Sequence, residues 1–250
     1  MKAEGRNAVT EAIRSGVTVD KILAAKDLQD AGARRILAMA HEKKIKTQFV
    51  ERKILDKESE TGSHQGFIAY TTEFNYCEVE DILAAAEDSG QMPLIIILDG
   101  VEDPHNLGSV LRVAECGGAH GVVIAKHRAC GVNDTVLKVS AGAAEHVKVA
   151  RVTNVNDTID FLKKRNVWVY AADLNGGDIY KTDLNRPLCL VVGGEGAGVK
   201  RLTREKCDGV LTLPIYGKVN SLNASVACGI ALYEALRQRT NDKGRWTNSD

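Results

Sequence analysis

At 250 residues, with 44% apolar and 5% aromatic side chains, the chain can bury a sizeable core as one large domain or two small ones, and it lacks the composition of a disordered protein. No uncharged apolar run reaches about 18 residues, which excludes a membrane-spanning helix. Lys plus Arg equals Asp plus Glu at 33 each, so a nucleic-acid partner would have to be met by a local basic face rather than by global charge.

The opening MKAEGRNAVTEAIRSG carries charge where a secretion leader would need an apolar stretch, so a cytoplasmic location is expected. Asn7 is placed to cap a first helix with Val9, Ala12 and Ile13 on one face, and Lys21 to Ala25 reads as a strand. A second helix runs from about Asp30 to Glu42 with Ile36, Leu37 and Ala40 inward. Lys46 to Glu51 and Phe67 to Tyr70 read as further strands. The intervening basic stretch, residues 41–57, fits either an RNA-facing surface or an ordinary solvated helix and turn. Residues 75–91, with the short helical run EDILAAAED and the turn-like SGQMP, read as a linker.

From Leu94 the pattern changes to short, continuously apolar runs: PLIIILDG, GVVIA, VWVYAAD, PLCLVVGG and GVLTLPI. Such runs belong in a mainly parallel sheet covered by helices on both faces, and segments such as Leu107 to Cys116 and Thr158 to Arg165 supply the crossovers. A sheet of this kind holds its ligand at the carboxyl ends of its strands. The six cysteines, at 77, 116, 130, 189, 207 and 228, include no C-x-x-C pair and read as free thiols rather than a zinc site or a disulfide framework.

Three turns at such strand ends carry the polar residues. The first holds Asn106-x-Gly108-x-x-x-Arg112, after Asp103-Pro104-His105. Helix capping alone would account for Asn106, and a surface position for Arg112. In the second, glycines at 193, 194, 196 and 198 flank Glu195. Their spacing from Gly194 is G-x-G-x-G, not the G-x-G-x-x-G of a dinucleotide fold, although plain chain reversal would also explain them. The third holds Pro214-x-x-Gly217 and then Ser221-Leu222-Asn223, which opens a long helix. Leu222, Val226, Ile230 and Tyr233 lie on one stripe of that helix, and Ala224, Ala227, Cys228, Ala231 and Ala235 cover much of the rest. Burial within a single chain would account for this pattern.

Together and in this order, the three segments resemble the motifs of the SpoU (TrmH) family of RNA ribose 2′-O-methyltransferases, within the SPOUT superfamily. GRNAVTEAI at the start and Gly62-Ser63-His64-Gln65-Gly66 resemble the N-terminal domain of one subgroup, the bacterial 23S rRNA guanosine methyltransferases. The resemblance implies an α/β chain: an N-terminal RNA substrate-binding domain at 1–74, a linker at 75–91, and at 92–250 a SPOUT-type α/β-knot domain, a deep trefoil knot with a mainly parallel sheet. It implies S-adenosylmethionine as cofactor, held by Gly193, Gly194, Gly196, Leu213, Ile215 and Leu222. Arg112, Asn106, Glu195 and Asn223 match the family's catalytic positions, with no metal. It also implies a homodimer through the C-terminal knot helix and RNA as partner, with 23S rRNA expected. A tRNA substrate and a non-catalytic, RNA-binding assembly factor are the alternatives. Arg112 is the family's proposed general base, but a guanidinium is effectively always protonated, so a positioning and charge-stabilising role is expected instead.

Overall fold

The computed structural model describes residues 1–241 except 16, 73, 195, 197 and 220. The chain forms two compact units, residues 1–75 with 131–135, and residues 76–130 with the rest. Among the described residues no helix is long and apolar enough to cross a membrane.

The smaller unit is a four-stranded sheet in the order β1 (Lys2–Glu4), β4 (Phe67–Thr72), β2 (Thr18–Ala25), β3 (Thr47–Val50). β2 and β3 are parallel and the other pairs antiparallel. β2 is buried on both faces. Ile22 and Ala24 pack with Val9 and Ile13 of α1 (Arg6–Arg14) and with Ala33, Ile36 and Ala40 of α2 (Ala31–Glu42). Leu23 and Ala25 pack beneath Leu55 of α3 (Arg52–Glu58). The expected cap Asn7 lies inside α1, which starts one residue earlier after Gly5 at φ 88°, a left-handed geometry that favours glycine. Asp30 caps α2, accepting from Ala33 N at 3.0 Å, and pairs with both terminal nitrogens of Arg6. The turn at 62–66 is structural. His64 is buried, its Nδ1 accepts from Gly66 N at 3.0 Å, and its Nε2 therefore carries the proton and donates to Asp56 at 2.9 Å.

The larger unit begins with α4 (Val79–Asp88), in the segment read from sequence as a linker. Its Val79 and Ile82 are buried in the core, and Ile82 lies so close to Gly121 that a Cβ there would come within 2.6 Å of it. Six strands follow: β5 (Leu94–Asp99), β6 (Gly121–Ala125), β7 (Lys148–Val152), β8 (Trp168–Asp178), β9 (Leu188–Gly193) and β10 (Gly209–Thr212). Their order is β10-β8-β9-β5-β6-β7, with every pairing parallel. Wholly buried side chains such as Ile95, Ile97, Val123, Val169 and Val191 fill the sheet, as continuous apolar runs require. The helices are α5 (Pro104–Cys116), α6 (Asp134–Val139, of which residues 136–139 belong to this unit), α7 (Val155–Lys163), α8 (Arg201–Lys206) and α9 (Ala224–Asn241).

α9 packs on α5 and β9. Gly117 makes the α5 approach possible, since a Cβ there would come within 2.6 Å of Leu232. The buried side of α9 is Ala224, Cys228, Ala231, Leu232 and Ala235, whereas the stripe Leu222, Val226, Ile230 and Tyr233 is 41, 49, 36 and 44% exposed. Burial within one chain therefore accounts for the small residues and not for the stripe. All six cysteines are free thiols, and burial pushes the Cys228 thiol up to about 12.

Candidate active site

β6 and β7 lie on one side of β5, while β9, β8 and β10 lie on the other. The chain thus reverses its direction of travel at the β5–β9 junction, where an open α/β sheet places its ligand. Two cavities lie at the carboxyl ends of the strands there.

The first, about 610 Å³, is walled by the ends of β8, β9 and β10 and by the start of α9. This is within the range of small-ligand sites, about 300–1,000 Å³. Gly193, Gly194, Gly196, Leu213, Ile215 and Leu222, expected from sequence as one set, all line it. Asn223 lines it as well, as do Asp173, Leu174 and Gly198.

The glycines have distinct reasons to be glycine. The loop after β9 folds back on itself, with Gly198 N donating to Gly194 O at 3.0 Å, while Gly194 N donates to Asp99 O at 3.2 Å. A Cβ on Gly193 would sit 2.0 Å from the Gly198 carbonyl carbon, and one on Gly194 would sit 2.4 Å from the Gly100 oxygen. Both clashes are with backbone, which cannot rotate aside. Gly196 differs, because no atom lies within 4 Å of its missing Cβ, but its φ of 77° is left-handed.

The second cavity, about 460 Å³, is bounded by the residues after β5, by Arg128 after β6, and by Asn106, Gly194, Gly198 and Lys200. It shares Gly194 and Gly198 with the first. Asp99 is its buried anchor, with a side chain 1% exposed, accepting from Lys200 Nζ at 2.5 Å and from Lys200 N at 3.2 Å. One carboxylate thus fastens the loop after β9 to the end of β5.

Of the four expected catalytic residues, the structure brings two together. Asn106 is buried in the first turn of α5, and its Oδ1 accepts from Asn223 Nδ2 at 2.8 Å. The cap of α5 is Asp103, which accepts from His105 N, so capping does not account for Asn106. Asn223 caps α9, its Oδ1 accepting from the amides of Ser225 and Val226. Arg112 is exposed and lines neither cavity. Six residues at about 100° each turn it some 120° away from the Asn106 face. Glu195 lies outside the described residues.

Sequence reasoning missed Asp99, Arg128, Asp173 and Lys200. A charge ending an apolar strand run, as in LIIILD and WVYAAD, was the available signal for the two aspartates.

A family model described as SpoU rRNA Methylase family matches residues 93–233, and another, described as RNA 2′-O ribose methyltransferase substrate binding, matches residues 2–77. The chain belongs to the SpoU family of RNA 2′-O-ribose methyltransferases. This SpoU chain is 45% identical over 236 residues to YacO of Bacillus subtilis, a protein placed in the TrmH family of tRNA/rRNA methyltransferases, with 94% of each chain covered. A Staphylococcus saprophyticus protein similarly placed is 42% identical over the same shares. The fold is that of SpoU methyltransferases. The crystal structure of AviRb from Streptomyces viridochromogenes in complex with the cofactor AdoMet matches with a TM-score of 0.62 at 24% identity, over 96% of this chain and 91% of that one. The A. aeolicus TrmH/SpoU tRNA modifying enzyme matches with a TM-score of 0.56 at 30% identity, over 61% and 78%.

Proposed function

We propose that the chain methylates a ribose 2′-hydroxyl with S-adenosylmethionine, and that its target is a guanosine of 23S rRNA. The observation that supports this most is the first cavity, where six residues anticipated as cofactor contacts from three separated segments line one space. The cavity fits the cofactor in size, and its glycines leave main-chain groups free to meet adenosine and ribose edges. When bound, the cofactor supplies a methyl group already activated by its sulfonium charge.

The chain's own task is then alignment and charge control. Gly193, Gly194, Gly196, Leu213, Ile215 and Leu222 hold the cofactor. Asn106 and Asn223, joined side chain to side chain, orient the wall nearest the second cavity. Arg112 lines neither cavity of its own chain, so its guanidinium, a poor proton acceptor and a good counter-charge, can stabilise the developing alkoxide only from the partner copy of the homodimer. The smaller unit selects the RNA, and the enzyme works in the cytoplasm as a homodimer. The uncovered stripe of α9 supports the dimer: an apolar row that its own chain does not cover is an association surface.

The similar proteins are named for tRNA as well as rRNA, so tRNA is the second reading. The test is label transfer from S-adenosylmethionine to unmodified transcripts of both RNAs, repeated on RNA carrying one 2′-deoxy nucleotide at the mapped position. Transfer confined to 23S rRNA and abolished by the deoxy nucleotide is expected. Transfer that survives the deoxy nucleotide refutes the ribose assignment, and transfer to tRNA alone refutes the rRNA assignment. S-adenosylhomocysteine should stabilise the fold by about 2.7 kcal/mol at one hundred times its dissociation constant. A melt shifted by NAD instead would overturn the cofactor.

A further inference from the structure

We propose that the second cavity receives the target nucleotide, with Arg128 holding its phosphate; this rests on the methyltransferase reading of the first cavity. The two cavities share Gly194 and Gly198, so a nucleotide in one lies against a cofactor in the other, as direct methyl transfer requires. Their linings differ in kind. The first is mostly glycine, leucine, isoleucine and alanine, while the second carries Asp99, Glu102, Asp103, Asn106, Arg128 and Lys200.

Among these charges, Arg128 is the one available for an anion. Lys200 is paired with Asp99, and Asp103 accepts from the helix amide of His105. Arg128 is exposed, and among the described residues its guanidinium makes no hydrogen bond or ion pair. It ends an exposed run, Lys126-His127-Arg128, set on the turn after β6. That turn is tied down: Cys130 N donates to Val101 O at 2.9 Å, and the Arg151 guanidinium donates to Lys126 O at 3.4 Å. A guanidinium on a braced turn beside a polar cavity suits a phosphodiester, which it can meet with two parallel N–H donors.

The experiment compares Arg128→Gln and Arg128→Lys with the parent enzyme, using whichever transcript, 23S rRNA or tRNA, accepts methyl. For Arg128→Gln the KM for RNA should rise about tenfold with kcat nearly unchanged, because a phosphate contact made equally in the ground and transition states is uniform binding. The slope of log KM against log salt should fall by about 0.7 to 1 for the lost contact. Arg128→Lys should recover part of both. S-adenosylhomocysteine affinity should be the same in all three, which separates an RNA contact from a misfolded loop. An unchanged RNA KM and salt slope in Arg128→Gln overturns the inference while leaving the function standing. Parent enzyme that transfers methyl to neither transcript overturns the function itself. If Arg128→Gln loses S-adenosylhomocysteine binding, the parent decides: RNA should protect Arg128 from phenylglyoxal, and modification undiminished by RNA overturns the inference.

Discussion

Asn223 divides its amide between two elements: Nδ2 donates to Asn106 Oδ1 at 2.8 Å, while Oδ1 accepts from the first amides of α9. The third motif is thereby held to the first across 117 positions of sequence. Asn223→Ala removes both the cap and the link, and should cost about 1–2 kcal/mol in chemical unfolding. Asn223→Asp keeps the cap acceptor but turns an acceptor toward Asn106. It should melt closer to the parent than Asn223→Ala while losing cofactor affinity. Equal affinity in parent and Asn223→Asp would show that the link has no bearing on the cavity.

Gly194 and Gly196 should respond differently to alanine. At Gly194 the new methyl meets the Gly100 oxygen at 2.4 Å, so the loop must leave the end of β5. Gly194→Ala should abolish S-adenosylhomocysteine binding in calorimetry and cost about 1–3 kcal/mol of stability. At Gly196 there is space, and only the left-handed φ opposes the change. Gly196→Ala should cost about 1–2 kcal/mol and keep measurable binding. The reverse order of effects would contradict the backbone account of the loop.

The boundary of the larger unit can be measured by truncation. A fragment starting at residue 76 retains Val79 and Ile82, whereas one starting at 92 exposes the apolar surface they cover. Both contain the three motifs, yet only the longer should unfold cooperatively with near-parent stability. In the intact chain Ile82→Ala should cost about 2–5 kcal/mol, the usual range for emptying a filled site. Equal stability of the two fragments would return residues 75–91 to the role of a linker.

Acid tests the smaller unit through Asp30. The Arg6 guanidinium, together with the Ala33 amide, pulls its carboxyl from 3.8 to about 2. A depressed acid contributes stability that is fully present above its unfolded value and is lost as pH falls through the folded one. The loss should therefore develop between about pH 4 and about pH 2. Asp30→Asn keeps a competent cap and removes the charge, so its stability should vary less across that window. A carboxyl 13C titration of Asp30 centred near 4 would refute the pairing.

The turns that wall the first cavity were legible because each combines residues that local structure rarely needs together, such as consecutive glycines after an apolar strand. Strand identity was legible for the same reason, since runs like LIIILD leave no hydrophilic face. Spatial order was not. β9 is inserted between β5 and β8, so its loop meets Asp99 and Gly100, some ninety residues earlier in the chain, and no periodicity encodes that meeting. Asp99, Arg128 and Lys200 are ordinary charged residues until the sheet order brings them to one cavity. The helical run of α4 was legible but its place in the larger unit was not, because its neighbours SGQMP and FNY look like linker while its burial depends on Gly121, a residue in another strand.

α9 has two sides with different duties. Its first turn lines the cofactor cavity through Ala224 and Ala227, together with Leu222 and Asn223 just before it, and its outer side carries the uncovered row that continues through Val226, Ile230 and Tyr233. Leu222 belongs to both. If the proposed homodimer forms on this row, a helix with a ligand at one end and a partner along its flank couples the two equilibria. Whatever factor association adds to cofactor affinity, the cofactor must return to association. Dilution and cofactor depletion would then act as one variable, and the enzyme's activity would report its own concentration.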